Sequence, residues 1–353
     1  MSLNLSLVPI RILVTGTRGK SSLVRLLHAG LCASGLRSYA RITGVLPREL
    51  SPSGSRTIHR SAPAHVREML WWLAQLPEDA DALVMENSAV APDLQAAAGA
   101  WLRPTLLVWT TLRPDHEEAW GAGYEGAARA LLSGVPRGVP VVGGPEIGRP
   151  ELRELLAGLG CPLHVQPPLP VGRSYREENL ALALRALELS GLPSERLEAA
   201  RPAMEGLRPD IADFRVEGDG DDLLAVAFSA NDVKSTKRLF EETGWSPEET
   251  TLLYHHRSDR AARLRAFLPW LDSIAWRDKV FTRTNAQLPF RGLMPGRLNR
   301  LPWNDGLRDA FSFRAWRPGR GRVFACGNVA GWPLEYLSEG ASGLNGEGYG
   351  CLL

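Results

Sequence analysis

The sequence predicts an α/β protein of two domains, and three observations carry that prediction. Short apolar runs alternate with amphipathic helical stretches along the N-terminal part, as expected of parallel strands joined by crossover helices. A second alternation of the same kind starts after the break Gly206-Leu207-Arg208-Pro209-Asp210. Between the first apolar run and the first helical stretch lies a glycine-containing turn that holds the first lysine of the chain.

Taken in order, Leu13-Val14 belong to the first strand, and Ser21 to Ser34 form the helix that follows it. A helical pattern runs from Ala64 to Leu76. Ala82 to Met85 and Thr105 to Trp109 are the next buried strands, Tyr124 to Leu132 is helical, and Val139 to Val142 form a fourth strand. A long helix spans Tyr175 to Leu189. The break places a domain boundary near residue 210, giving domains of residues 1–210 and 211–353. In the second, Leu223 to Phe228 is a strand, a helix starts at Asp232, Thr251 to Tyr254 is a strand, a helix starts at Arg260, and Arg322 to Ala325 is the last buried strand. Residues 284–320, rich in Pro, Arg, Asn and Gly, read as long loops able to line a groove.

Composition narrows the function classes. With 44% hydrophobic and 23% charged residues, the chain is globular rather than disordered. A net charge of +2 gives no basic footprint for nucleic acid. No apolar run is long enough for a transmembrane helix. The N-terminal stretch lacks the basic start and cleavage site of a signal peptide. Cys32, Cys161, Cys326 and Cys351 show no C-x-x-C spacing, which disfavours zinc and a disulfide scaffold. The expected compartment is the cytoplasm.

The strongest local signal is Val14-Thr15-Gly16-Thr17-Arg18-Gly19-Lys20-Ser21-Ser22. Gly16 and Gly19 let the backbone turn tightly and approach phosphate oxygens. Backbone N–H groups and the helix N-terminus then face the anion. Lys20 supplies a cation for the outer phosphates and Ser21 a hydroxyl for Mg²⁺. Val14 stands where the longer phosphate-loop pattern has Gly, so this is a shortened G-x-x-G-K-S form. The plain alternative is a glycine turn before an ordinary helix. Against it, Lys20 is the sole lysine before Lys234.

Glu86 follows Ala82 to Met85, at the carboxyl end of a strand, where open α/β sheets bind ligands. A hard cation takes such a carboxylate together with phosphates; the plain alternative is a helix-capping or loop carboxylate. Thr110 to Pro114 lead to Asp115-His116 at the same sheet edge. His116 could bind a second cation or orient a carboxylate, or be ordinary polar surface.

Together these residues resemble the central domain of the Mur ligase superfamily, and specifically its poly-γ-glutamate synthase branch (PgsB/CapB type). The later motifs that carry the likeness are Phe228-Ser229-Ala230-Asn231-Asp232 with Ser235-Thr236, Arg257-Ser258-Asp259-Arg260, and Gly327-Asn328-Val329-Ala330-Gly331. The resemblance implies an α/β fold, with a P-loop ATPase domain on a mostly parallel sheet and a smaller Rossmann-like α/β C-terminal domain. It implies that Gly16, Thr17, Arg18, Gly19, Lys20, Ser21 and Ser22 hold ATP. It also implies Ser21, Glu86 and His116 as metal ligands for Mg²⁺, with Mn²⁺ as the alternative. Asn179 matches an adenine contact, and Arg257 and Asp259 lie toward the ribose. Asn231 and Asp232 lie near the acyl phosphate and incoming amine, so the implied catalytic set is Lys20, Glu86, His116, Asn231 and Asp232.

Some alternatives stay open. Asn179 or Asn231-Asp232 could simply cap helices, Arg257 and Arg260 could be exposed charges, and Gly327 and Gly331 could serve turns. Thr111 departs from the superfamily's usual Asn, and the first domain has no second lysine to carbamylate. The phosphate loop begins near residue 16, which disfavours a UDP-linked substrate.

The reaction implied is ATP-dependent amide formation through an acyl phosphate, releasing ADP and phosphate. The substrates would be glutamate and a carboxylate acceptor, with Arg113, Arg257, Arg260 and Arg263 as possible carboxylate binders. A small membrane protein of the same synthase is the expected partner, which would bring the chain to the inner membrane face. The rivals are a ligase joining one amino acid to a small carboxylate, a small-molecule kinase and a non-catalytic nucleotide-binding subunit.

Overall fold

The computed structural model describes residues 4–60, 64–114, 116–121, 123–284 and 300–342. Two compact units divide the chain between Arg208 and Pro209.

In the first unit the described residues form an eight-stranded sheet. Its strands are β1 (Ile10–Thr15), β2 (Ser38–Ile42), β3 (Arg48–Ser51), β4 (Gly54–Thr57), β5 (Ala82–Glu86), β6 (Leu106–Trp109), β7 (Val141–Gly143) and β8 (Leu163–Val165), in the order β4-β3-β2-β5-β1-β6-β7-β8. The strands from β2 to β8 in this order run parallel, and β3 and β4 add an antiparallel edge.

The central strands are continuous apolar runs because both faces are covered. Ile12 and Val14 of β1, Ala82 and Val84 of β5 and Leu106 and Val108 of β6 join one buried cluster. The residues between them, Leu13, Leu83, Met85, Leu107 and Trp109, join the cluster on the opposite face. Helices α1 (Lys20–Ala33), α7 (Tyr175–Leu189) and α8 (Ser194–Glu205) contribute to the first cluster. The opposite one takes residues of α2 (Glu68–Ala74), α3 (Pro92–Leu102), α4 (Glu117–Trp120), α5 (Gly123–Leu132) and α6 (Pro150–Gly158). Helix α1 approaches α7 and α8 closely at Gly30, where a Cβ would lie 2.6 Å from Leu187 Cδ1 and 2.8 Å from Met204 Sδ.

The second unit has a five-stranded sheet in the order β12-β11-β13-β10-β9. These are β9 (Arg215–Asp219), β10 (Asp222–Ala227), β11 (Thr250–His256), β12 (Asp278–Arg283) and β13 (Arg322–Cys326). All pairs are parallel except the β9–β10 hairpin. Helices α9 (Val233–Thr243), α10 (Ala261–Ser273), α11 (Ala310–Trp316) and α12 (Trp332–Ser342) complete it. The α/β class with a large parallel sheet and a second, smaller α/β unit is the observed architecture.

Two expectations need correction, and one pair of strands was not expected. The stretch 284–320 is not all loop. Asp309 and Ser312 form a capping box that starts α11, which buries Ala310 and Phe313; residues 285–299 of that stretch lie outside the described residues. Helix α2 is shorter than the Ala64–Leu76 pattern, starting only at Glu68. The β3–β4 edge escaped notice because its strands are polar and half-exposed, so no apolar run betrays them.

Candidate functional site

The site grows from the carboxyl ends of β1, β5 and β6. Strand β1 sits between the other two, so the loops leaving them converge at a point where the strand order reverses. Gly16, the first residue after β1, has φ +126, and a Cβ there would meet Thr110 Oγ1 at 2.2 Å. Only glycine lets this loop pass so close to the end of β6. Gly19 is the N-cap of α1 and offers no side-chain cap, which leaves the first-turn N–H groups suited to an anion.

Lys20 Nζ donates to Gly16 O at 2.7 Å, closing the loop on itself. Thr111 braces the loop from the β6 side. Its carbonyl accepts from Thr17 N at 3.0 Å, and its Oγ1 lies 2.9 Å from Thr17 Oγ1 and accepts from Arg18 N at 2.9 Å. The residue that departs from the superfamily pattern is therefore built into the loop.

Period-two alternation puts Glu86 on the same face as Ala82 and Val84, the face covered by α1. Its carboxylate duly meets α1: Ser21 Oγ donates to Glu86 Oε2 at 3.0 Å, and Thr43 N donates to the same oxygen at 2.8 Å. Glu86 is 4% exposed. Next to it, Asn87 donates to Gln95 Oε1 at 2.8 Å and accepts from Ala89 N at 3.1 Å, which fixes the loop after β5.

His116 has φ 47, left-handed backbone for a residue that is not glycine, and its ring packs 5.1 Å from that of Trp120. Such backbone outliers concentrate at functional sites. Gly16, Lys20, Glu86 and His116 line one cavity of about 240 Å³, together with Arg60, His65 and Val66. Asp115 lies outside the described residues. Asn179 stands over the phosphate loop, its Oδ1 3.4 Å from the Cβ position of Gly19. It does not cap α7, because Ser174 and Glu177 form that capping box.

The donor set suits a hard cation. Among the described residues no cluster of three or more His, Cys, Asp or Glu could hold a metal. Here a buried carboxylate and a serine hydroxyl lie in contact beside a phosphate loop. Mg²⁺ favours this pattern, because it draws much of its shell from phosphate oxygens and water.

In the second unit the sequence-predicted residues are engaged locally. Asp232 is the N-cap of α9, accepting from Ser235 N at 2.8 Å and Ser235 Oγ at 2.6 Å. Asn231 Oδ1 accepts from Arg263 at 3.1 Å. Arg257 grips Asp259 through two hydrogen bonds of 2.7 and 3.0 Å. Gly327, with φ +106, would place a Cβ 2.5 Å from His255 O, so turn geometry accounts for that glycine. In the first unit Arg113 faces Glu146 at 3.5 Å.

Sequence reasoning missed Arg60, the arginine that lines the phosphate-loop cavity. No motif flags it, since it follows a polar edge strand. It also missed His255. That ring lies 2.8 Å from Thr282 Oγ1 through Nδ1, and Nε2 donates to Ala330 O at 2.9 Å. Burial pushes the His255 imidazole down to about 3. The neutral ring staples the 327–331 turn to β11 and β12.

Comparison with known proteins finds relatives of both units. Residues 14–142 match the Mur ligase middle domain, and residues 211–342 match the poly-γ-glutamate synthase CapB C-terminal domain. The capsule biosynthesis protein CapB of Bacillus anthracis is 22% identical over 74% of this chain, which spans 60% of that protein's length. The PGA synthase CapB of Bacillus subtilis (strain 168) is 22% identical over 76% of this chain and 74% of its own. A bifunctional folylpolyglutamate synthase/dihydrofolate synthase solved with Mn, AMPPNP and L-glutamate bound has a TM-score of 0.64 at 17% identity, covering 97% of this chain and 91% of that one. Escherichia coli FolC in complex with ADP gives 0.63 at 16% identity, covering 96% and 91%. These structural likenesses establish the fold. With the two domain matches in the same order along the chain, the protein belongs to the Mur ligase superfamily, in its poly-γ-glutamate synthase CapB branch.

Proposed function

We propose that this chain is an ATP-dependent carboxylate–amine ligase that forms γ-glutamyl linkages through an acyl phosphate. The observation that carries the proposal is the meeting of Ser21 with Glu86, 3.0 Å apart, beside the Gly16–Lys20 loop, in a chain with both Mur ligase and CapB domains. Residues 1–210 act as the ATP-binding domain and residues 211–353 as the C-terminal domain.

In this reading, residues 16–22 hold the ATP phosphates and Lys20 turns from Gly16 O to the transferring phosphoryl group. Mg²⁺, or Mn²⁺ in its place, would be held by Ser21 and Glu86 with His116 nearby, and supplies charge neutralisation on the phosphates. The acceptor carboxylate attacks the γ-phosphorus, ADP leaves, and the amine of glutamate displaces phosphate from the acyl phosphate. Asn179 stands on the nucleotide side of the loop. Asn231, held by Arg263, and the Arg257–Asp259 pair belong to the amine and ribose side. Asp232 serves there by starting α9 rather than as a reacting group.

No helix among the described residues is long and apolar enough to cross a membrane. By its likeness to the CapB synthase proteins we assign the chain to the cytoplasm, reaching the membrane through a small membrane protein of the synthase.

Phosphate release from ATP and Mg²⁺ with single amino acids, read with product mass spectrometry, tests the reading. A glutamate-dependent ladder of products, absent in Lys20→Ala, is the expected result. A single ligated product would replace the polymerase reading by a small-molecule ligase. Turnover with no added amine and a stable phosphorylated product would indicate a kinase.

A further inference from the structure

Arg60 shares its one carboxylate partner, Glu68, with a second arginine. Its Nε donates to Glu68 Oε1 and Oε2 at 3.0 and 3.1 Å, and its Nη2 donates to Oε2 at 2.8 Å. Glu68 also accepts from His65 N at 3.0 Å and from Arg41 Nη2 at 2.6 Å. The side chains of Arg41, Glu68 and Arg60 are 1%, 12% and 23% exposed. Two guanidinium groups thus share one carboxylate in a largely dry place, and Arg41 Nη1 is buried with no hydrogen-bond partner among the described residues. Two further carboxylates act on Arg41: Glu49 is paired with Arg56, and Glu86 accepts only from the neutral donors Ser21 Oγ and Thr43 N, so its charge is the one that the proposed cation would take up. With Glu86 given over to that cation, Arg41 and Arg60 keep one carboxylate between them, and because partly buried charge without compensation is costly the cluster then favours an added anion.

Where that anion would lie follows from the cavity. Glu68 occupies the Nε and Nη2 positions of Arg60 and leaves Nη1 for another acceptor. Arg60 lines the same cavity as Gly16, Lys20, Glu86 and His116. A planar guanidinium fixed by a carboxylate behind it is pre-organised to bind a carboxylate in front. Of the four arginines considered from sequence, Arg113, Arg257 and Arg263 have partners in Glu146, Asp259 and Asn231, and Arg260 is engaged as well.

We propose that Arg60 holds the second carboxylate of a dicarboxylic acceptor and so decides which of the two carboxylates is phosphorylated. This rests on the ligase reading above. A terminal glutamyl residue presents an α- and a γ-carboxylate of similar nucleophilicity, and a γ-linked product requires one of them to remain a spectator. An oxygen of the γ-carboxylate bonds to the γ-phosphorus of ATP as the bond from that phosphorus to the β–γ bridging oxygen breaks and ADP leaves. The α-carboxylate stays ionised against Arg60 throughout. Glu68 and Arg41 are positioning residues that hold the fork.

The test compares γ-glutamylglutamate with γ-glutamyl-4-aminobutyrate, which lacks only the terminal α-carboxylate. Binding of each, with MgADP present, is measured calorimetrically for the wild type, Arg60→Gln and Arg60→Lys. The wild type should bind the dicarboxylic terminus about 10- to 100-fold more tightly, as one charge-assisted hydrogen-bonded contact implies. Arg60→Gln should erase that difference and leave ADP affinity unchanged. Arg60→Lys, which keeps a charge against Glu68, should retain part of the preference and guards against a folding artefact. Equal binding of the two acceptors by the wild type, a preference that survives in Arg60→Gln, or loss of ADP affinity instead would overturn the proposal; the last would place Arg60 on a phosphate. Failure of the ligase reading looks different: the preference is present and depends on Arg60, but no amine yields a ligated product.

Discussion

Ser21 Oγ and Glu86 Oε2 are 3.0 Å apart although 65 positions separate them in the chain. The contact joins the first turn of α1 to the last residue of β5, on the sheet face that α1 covers. It is the smallest piece of structure from which the nucleotide-site reading follows.

If that pair receives the cation, its two members should fail differently. Glu86→Gln keeps an acceptor for Thr43 N but removes the charge. It should cut acceptor-dependent phosphate release by about 100-fold or more with little change in thermal midpoint. Ser21→Ala should instead raise the Mg²⁺ concentration needed for half-maximal rate. A titration of rate against Mg²⁺ for both variants checks this. Full activity in Glu86→Gln would remove the carboxylate from the site.

Thr111 should matter through its hydroxyl. Thr111→Val keeps the branched shape but strips the acceptor from Arg18 N and the contact with Thr17 Oγ1. Losing one or two such bonds is worth roughly 1–2 kcal/mol, so nucleotide affinity should fall about 5- to 30-fold, with the acceptor KM unchanged. Fluorescent-nucleotide binding measures it directly, and unchanged affinity would mean the loop holds its shape without the brace.

For Asp232, the cap geometry predicts that Asp232→Ala destabilises by about 1 kcal/mol, whereas Asp232→Asn, an equally good cap, is neutral. Turnover should track stability, and Asn should restore both. An Asn variant that folds normally but turns over slowly would show that the carboxylate charge takes part in the reaction.

Stability should fall on acidification for a specific reason. His255 and His256 are buried, and burial pushes them down from 6.5 to about 3 and about 4. Groups held neutral in the fold contribute stability that is complete above pH 6.5 and is lost as pH falls toward those lower values. Each costs up to about 1.4 kcal/mol per pH unit in that window. Denaturant midpoints measured from pH 7.5 to 4.5 should therefore drop, and more gently in His255→Gln. Parallel curves for the two proteins would exclude His255 as a source.

Packing at Gly30 allows a further check. A methyl group there would press on Leu187 and Met204, and overpacking of this kind typically costs about 1–3 kcal/mol. Gly30→Ala should lower the thermal midpoint while leaving nucleotide affinity, once folded, at the wild-type value. A variant as stable as the parent would mean that α1 can shift away from α7 and α8.

Several parts of the site were legible from local pattern alone. The phosphate loop was, because strand, glycines, Lys20 and Ser21 must occur in that order for the chain to turn and face an anion. Glu86 at the end of an apolar strand was, because a parallel strand buried on both faces ends where a charge first becomes tolerable. The capping of α7 by Ser174 and Glu177 left no such mark on Asn179, and only packing brought it over Gly19. Thr111 stands out in the sequence only as a departure from the usual Asn, and it is packing that bonds its hydroxyl to the loop. Arg60 followed a polar edge strand with no periodic signal, and its meaning came from Glu68 and Arg41, residues on other elements. The sequence by itself determined the alternation of elements and the chemistry of the phosphate loop, since both depend on neighbours within a few residues. The tertiary structure alone decided which distant side chains share a cavity, because burial, sheet order and charge balance are properties of elements after they have packed.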